Sequence, residues 1–272
     1  MKFKLIFLLF NVLILLSFAV VIIMPVMMLG PDYPISLWST TWYLPALFIL
    51  IIIAIDSYFF INWRLFSLLE AENWTELVDF LEGKIFQKGT IQTSYVRILI
   101  QSYFVTGNVR KIEPLEQHLR EKRPALLRKF ALELGMPKVL HKEHNDMVAF
   151  FGEFSDKKVP NRRWIRFLHA FGVIMKREHA EGREMLLELS REVREPILKA
   201  LIMYTLDPFR TLDNEVLDQV DQMREEMQAK YSRQHLEREL DRHKENIAMI
   251  VMAPIIRDAI VWLFPEEEEE AM

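Results

Sequence analysis

The stretch NWTELVDFLE, Asn73–Glu82, reads as the start of a short amphipathic helix, and similar starts occur three more times. They lie at Asn108 (NVRKIEPLEQ), Asn145 (NDMVAFFGEF) and Glu181 (EGREMLLELS), at steps of 35, 37 and 36 residues. A helix that returns at a nearly constant period of this size indicates a repeat array. Each unit of such an array buries its apolar face only by stacking on its neighbours.

Three prolines give a second periodic signal. Pro124, Pro160 and Pro196 are 36 residues apart, and an apolar helical pattern follows each one. Proline suits the first turn of a helix, where its missing N–H costs nothing. The prolines therefore mark the first helix of a hairpin, and the Asn/Glu motif marks the second. We expect hairpins over residues 57–87, 91–121, 125–155, 161–193 and 197–224.

One unit resembles a tetratricopeptide-type helical repeat. It is Val96–Pro124, with the sequence VRILIQSYFVTGNVRKIEPLEQHLREKRP. Leu99 and Tyr103 stand where that family places a large apolar and an aromatic residue. Gly107 lies near the inter-helix turn, and Pro124 closes the unit.

The resemblance covers residues 60–207, with departures from the family pattern. Ile100 occupies the usual glycine slot and Ile112 the usual alanine slot, and the period exceeds the typical 34 residues. The resemblance implies a concave groove for a peptide or helix of a protein partner, and no chemistry. Aromatic residues at helical spacing usually pack inward, so the core is the more usual place for each of the groove candidates. The candidates are Tyr95, Tyr103, Phe130, Trp164, Phe167 and Phe171.

The N-terminal residues 1–63 predict a membrane hairpin. Between Lys4 and Arg64 the only charged residues are Asp32 and Asp56. Two uncharged runs are long enough to cross a bilayer core of about 30 Å, which predicts spans over 5–29 and 36–56. No helix breaker lies between Asp56 and Leu69, so the second span is expected to continue into the first repeat helix.

Positive charges predict the orientation of this hairpin. Lys2 and Lys4 precede the first span and Arg64 follows the second, while the loop between the spans has no positive charge. By the positive-inside rule both termini are cytoplasmic, at the inner or plasma membrane. A cleaved signal peptide is the alternative interpretation of the first span. Cleavage would still leave the main domain in the cytoplasm, because the second span carries Arg64 there.

Three further regions follow the hairpin: a repeat domain over 64–210, a segment over 211–264 and an acidic tail over 265–272. The second region predicts a long charged helix that either caps the array or forms a homodimer seam. Its last part, Ile247–Phe264, contains Pro254, Arg257 and Asp258. These residues predict a docking helix, buried or on the membrane surface, in place of a third span. The long helix has an apolar stripe that consists of Val216, Val220, Met223, Met227, Tyr231, Leu236 and Leu240.

A basic cluster, KKVPNRRWIR, occupies residues 157–166. It is either a solvated helix start or a contact for an acidic partner or anionic lipid headgroups. The acidic tail Glu266–Glu270 is a further candidate occupant of the cluster. The basic members are Lys157, Lys158, Arg162, Arg163 and Arg166, beside Trp164 and Phe167.

No known catalytic or cofactor-binding pattern is present in the sequence. The chain has no cysteine, which excludes disulfides and thiolate metal sites. The pair His141 and His144 in HKEH matches neither HExxH nor HxxEH, and two histidines do not complete a metal site. The net charge of −4 argues against nucleic-acid binding. We therefore expect no enzymatic activity, cofactor or metal.

These patterns together predict an all-α protein with two transmembrane helices, an α-solenoid of tetratricopeptide-like hairpins and a C-terminal capping helix. The leading hypothesis for its function is a scaffold or adaptor that binds a protein partner at the cytoplasmic face of a membrane. The alternative is a structural subunit of a membrane transport or envelope-assembly complex. Its hairpin would then contact partner spans through Asn11 and Asp56.

Overall fold

All regular structure in the described residues of the computed structural model is helical. The fold class is therefore all-α, as predicted. The chain divides into two compact units, Met1–Gln87 and Lys88–Met272. The structure describes residues 3–29, 43–210, 214–243 and 246–265.

The described residues of the first unit form four α-helices and a final π-helical turn. They are α1 (Phe3–Leu29), α2 (Tyr43–Ile61), α3 (Trp63–Glu70), α4 (Trp74–Glu82) and the turn Gly83–Gln87.

Helices α1 and α2 pack antiparallel through aromatic contacts. Phe7 meets Phe59 edge-on, with ring centres 5.3 Å apart, and Phe18 stacks on Phe48 at 5.1 Å. Phe18 follows Phe7 in α1 by the same number of residues as Phe48 precedes Phe59 in α2. The two helices therefore run side by side in opposite directions for about 16 Å at least.

The predicted continuation of the second span into the first repeat helix is wrong. Asn62 separates α2 from α3, and the axes of Ala46–Ile61 and Trp63–Glu70 differ by 58°. The Asn62 amide donates a hydrogen bond to the Tyr58 carbonyl at 2.8 Å. A side chain that bonds the backbone in this way competes with the helical hydrogen-bond ladder and favours a break.

No single helix among the residues with described side chains is long and apolar enough to cross a bilayer. The bent pair Ala46–Ile61 and Trp63–Glu70 reaches that length and composition together. Residues 30–42, which comprise the predicted loop and the first residues of the second predicted span, lie outside the described residues. The spans over 5–29 and 36–56 stay a prediction.

Four inter-helix turns each contain one left-handed residue, at a strict period of 35 residues. In the third of them the N–H of Lys142 donates to the Val139 carbonyl, and the N–H of Glu143 donates to the Lys138 carbonyl. These two bonds form the Schellman motif, which ends a helix with one left-handed residue. The left-handed residues are Glu72 (φ 51°), Gly107 (φ 70°), Lys142 (φ 56°) and Arg177 (φ 70°).

The second unit contains eleven α-helices within its described residues. Pro124 and Pro196 are the first residues of their helices, and Pro160 lies two residues before α10. The helices are α5 (Thr93–Val105), α6 (Ile112–Lys122), α7 (Pro124–Lys129), α8 (Ala131–Leu140), α9 (His144–Ser155), α10 (Arg162–Met175), α11 (His179–Glu192), α12 (Pro196–Leu206), α13 (Asn214–Lys230), α14 (Arg233–Arg242) and α15 (Ile247–Leu263).

Glycines allow close approach between successive helices from α8 to α11. A Cβ on Gly135 of α8 would lie 2.4 Å from the Phe151 ring of α9. A Cβ on Gly182 of α11 would lie 2.5 Å from Ile174 and 3.1 Å from the Ala170 carbonyl oxygen, both in α10. Val96–Pro124 has Ile100 and Ile112 in the slots where the family has small residues, but later helix crossings do have a small residue.

The predicted long C-terminal helix is two helices, α13 and α14. The break falls at Ser232, whose side chain accepts a hydrogen bond from the His235 N–H and so caps α14. Six of the seven stripe residues are buried within the chain, and Tyr231 is half-buried. The stripe is therefore part of the core, as in a cap, and it leaves no free seam for a homodimer. Its buried members are Val216, Val220, Met223, Met227, Leu236 and Leu240.

The last helix, α15, docks on the rest of the second unit. It packs against α12, α14 and the sequence-distant α8. One face is buried, including Met252, Ile256 and Ile260, while Arg257 and Asp258 are exposed. The structure therefore agrees with the interpretation of this segment as a docking helix.

Candidate partner-binding surface

The aromatic groove candidates lie in the core. None of the first five is more than 5% exposed, and Phe171 is half-buried and stacks on Phe167 at 5.9 Å. The five buried residues pack helix against helix and present almost no area to a partner. These rings therefore face the core and do not line a groove. The five are Tyr95, Tyr103, Phe130, Trp164 and Phe167.

Trp164 has a structural role that the sequence did not reveal. Its indole N–H lies 3.1 Å from each carboxylate oxygen of Glu195, the residue before α12. Its ring also meets Phe167 edge-on at 6.3 Å. The indole therefore joins the start of α10 to the start of α12.

Three members of the basic cluster are engaged within the chain. Arg166 pairs with Glu188 at 3.1 Å and with Glu192 at 2.8 Å. Lys157 pairs with Glu153 at 3.2 Å. The Arg162 guanidinium donates to the Ser155 carbonyl at 2.9 Å. Internal partners therefore account for much of the charge in this cluster.

Lys158 and Arg163 are different, because both are exposed and neither pairs with any residue that the structure describes. Other basic residues near the neighbouring proline turns are also exposed and have no described side-chain partner, although the sequence did not single them out. We call the complete set the basic edge. It consists of Lys122, Arg123, Arg128, Lys129, Lys158, Arg163 and Arg194, all exposed and without a side-chain partner among the described residues.

Most carboxylates around these turns already have partners. Glu192 pairs with Arg166, Glu195 accepts from Trp164, and Glu121 lies 3.5 Å from the amide of Gln117. The exposed Asp156 is the exception. The basic edge therefore has an excess of uncompensated positive charge.

A separate cleft of about 370 Å³ surrounds the carboxyl group of Glu133. Burial raises the pKa of Glu133, and the positive charge of Arg97 opposes this shift. One carboxyl oxygen is enclosed and has no hydrogen-bond partner among the described residues. The cleft is lined by Arg97, Ile100, Gln101, Phe130, Glu133 and Arg242, with His243, Asn246 and Ile247.

A third feature is a mostly apolar cleft of about 570 Å³ in the first unit. Asp56 lines it together with Phe7, Ser57 and Trp63, and makes no hydrogen bond or ion pair with a described residue. Asn11, in contrast, donates to the Phe7 carbonyl at 3.1 Å. Of the two polar residues predicted to contact partner spans, Asn11 therefore already bonds its own helix, and Asp56 has no described partner.

The HKEH pair forms a turn between helices. His141 follows the last residue of α8 and His144 is the first residue of α9. No group of three potential metal ligands exists in the part of the chain that the structure describes. The acidic tail Glu266–Glu270, a predicted occupant of the basic cluster, lies outside the described residues.

The fold and the surface define an all-α protein built from successive helical hairpins with a basic edge at its proline turns. A family model described as "Uncharacterised Treponema protein" matches residues 111–265, and the chain belongs to this family. It is also similar to an uncharacterized protein of Treponema pallidum (strain Nichols). The two are 26% identical over 231 residues, which are 80% of this chain and 74% of the relative. No solved structure matches.

Proposed function

We propose that this protein is a membrane-anchored helical scaffold that binds a protein partner at the cytoplasmic face. The apolar surface of α1 and α2 carries the proposal, because folded proteins in water rarely expose contiguous apolar patches of this kind. A bilayer would cover such a surface. At least 60% of each of the following side chains is exposed: Leu8, Leu9, Leu13, Leu15, Leu50 and Ile53.

The dimensions of the two helices support the anchor. Helix α1 has 27 residues and α2 has 19, which correspond to about 40 and 28 Å. The hydrocarbon core of a bilayer is about 30 Å thick. Lys2, Lys4 and Arg64 flank the hairpin and favour cytoplasmic termini at the inner or plasma membrane.

The helical array supports the scaffold part of the proposal. Turns with a left-handed residue at a 35-residue period are typical of a tetratricopeptide-like α-solenoid, which offers an extended surface to a partner. Since the predicted groove aromatics are buried, the partner would contact exposed residues of the array. We propose no catalytic activity, cofactor or metal.

The anchor is tested by fractionation of cells that express the full chain. We expect it to stay in the membrane pellet after extraction at alkaline pH. Leu13→Lys with Leu50→Lys should release it, because each charge near a span centre costs about 2.5–3.5 kcal/mol. The matched control is Val105→Lys, which changes an exposed apolar residue of the second unit. A wild-type chain in the soluble fraction would contradict the proposal.

The free carboxyl group of Asp56 favours a second candidate, a subunit whose hairpin contacts the spans of a membrane complex. An acid in an apolar cleft of a membrane helix is a candidate for pairing with a polar or basic group of a partner helix. Asp56→Leu should then dissociate the native complex in detergent while the chain stays in the membrane. Asn11→Leu is the comparison, because Asn11 bonds its own helix. An intact complex in the Asp56 variant argues for the scaffold alone.

A further inference from the structure

Lys122, Lys158 and Arg194 form a regular series along one edge of the second unit. Each stands two residues before a proline, in KRP, KVP and REP, so they are 36 residues apart. All three are exposed and have no side-chain partner among the described residues. Successive hairpins therefore each present a positive charge close to their proline turn.

The rest of the basic edge extends this series. Arg123, Arg128, Lys129 and Arg163 lie within five residues of Pro124 or Pro160 and are also exposed without described partners. The edge therefore has seven free cations, although the whole chain has a net charge of −4. Such a separation of charge favours a negatively charged binding partner.

The clefts described above lie away from the basic edge. None of its seven residues lines the clefts around Glu133 or Asp56, or the cleft beside Arg224 and Phe264. The charges are distributed over three successive turns. Cations that are spread along an edge suit an extended anionic surface better than one acidic peptide.

We propose that the basic edge docks on the anionic headgroups of the bilayer that holds the chain. This inference rests on the proposed membrane anchor, which tethers the second unit to a lipid bilayer. Lysine and arginine near an anionic leaflet are attracted to it, and the attraction is lost within a Debye length. Docking would leave the opposite edge, which contains Gly107, Lys142 and Arg177, open to the cytoplasm.

Single cysteines can report this docking, because the natural chain has none. Ala125→Cys places a fluorophore at the basic edge, and Asn145→Cys places it at the opposite edge. The full chain is reconstituted into vesicles of phosphatidylcholine alone or with phosphatidylglycerol, and energy transfer to a headgroup acceptor is measured. We expect phosphatidylglycerol to increase transfer from position 125 and not from position 145. Salt near 1 M, where the Debye length is about 3 Å, should abolish the increase.

Charge reversal provides the matched comparison. The variant Lys122→Glu/Lys158→Glu/Arg194→Glu should lower the ratio of docked to undocked protein at least about tenfold. The control Arg110→Glu/Lys142→Glu/Arg177→Glu makes three equal changes at exposed positions of the opposite turns and should leave the ratio unchanged. Circular dichroism verifies that both variants fold, and Lys122→Arg/Lys158→Arg should retain docking.

Two results would overturn the proposal. The first is equal transfer from position 125 in both lipid mixtures. The second is an equal response of the two triple variants. If polyglutamate protects the label at position 125 while phosphatidylglycerol has no effect, the edge binds acidic protein instead. Failure of the chain to enter vesicles at all would refute the anchor, which is a different outcome from entry without a lipid response.

Discussion

Gly182→Ala should loosen the contact between α10 and α11. The added Cβ would lie 2.5 Å from Ile174 Cγ1, 3.1 Å from the Ala170 carbonyl oxygen and 3.1 Å from the Ile174 nitrogen. A side chain could rotate away from the new methyl group, but the two backbone atoms of α10 cannot. The helices must therefore separate by several tenths of an ångström.

Two opposing effects determine how much Gly182→Ala changes the free energy of unfolding. Alanine is favoured over glycine in a helix interior by up to about 1 kcal/mol. An extra methyl group in a well-packed contact costs about 1–3 kcal/mol, and rigid backbone neighbours place this site in the upper part of that range. We therefore expect a net loss of about 1–2 kcal/mol in the free energy of unfolding. For a unit of this size that lowers Tm by about 2–8 °C.

Thermal unfolding of the full chain in detergent, followed by circular dichroism, measures this loss. Glu184→Ala is the control, since Glu184 is an exposed residue of the same helix. Gly152→Ala should cost less than Gly182→Ala, because its nearest contact is the half-buried His169 ring at 2.9 Å. A Tm for Gly182→Ala equal to or above that of Glu184→Ala would refute the close-approach argument.

Three further predictions concern backbone conformation and ionisation. Lys142→Gly should raise the free energy of unfolding by about 1 kcal/mol in denaturant melts, because Lys142 has φ 56° and glycine adopts that region freely; Lys142→Ala should give no gain. Burial lowers the pKa of His169 below its ordinary value of 6.5, so the unfolded chain binds more protons, and stability should fall as the pH drops below 6.5. His169→Gln should flatten that part of a stability–pH curve, and an unchanged slope would contradict the assignment. Burial raises the pKa of Glu133 above 4.5, so stability should fall as the pH rises from 4.5 through the folded pKa. Glu133→Gln should remove this decline, which urea titrations at several pH values can detect.

Helix position was predictable because proline and polar helix starts act locally. The prolines at 124 and 196 begin helices, and the repeated motif follows turns that recur every 35 residues. The breaks at Asn62 and Ser232 were not predicted, because each depends on one side-chain hydrogen bond to the backbone. Many Asn and Ser residues could form such bonds, and the sequence does not indicate which do.

The candidate surface was predictable only in part. Lys158 and Arg163 belong to the basic cluster that the sequence shows. They have no described partner because Glu153, Glu188 and Glu192 pair with other cations, and the sequence does not reveal those pairs. The sequence left the aromatic rings between groove and core, because helical spacing alone does not distinguish two apolar faces. Which face is buried is determined by the neighbouring hairpins, and so by contacts between residues far apart in sequence.

The docking of α15 on α8 and α12 has a consequence for how the second unit unfolds. A simple array contacts only its nearest neighbours and can fray hairpin by hairpin from either end. Here the last helix contacts both α8, in the hairpin over residues 125–155, and α12, in the hairpin over residues 197–224. Release of α15 would uncover apolar area on both partners at once, so the region from α8 onward should melt as one cooperative block.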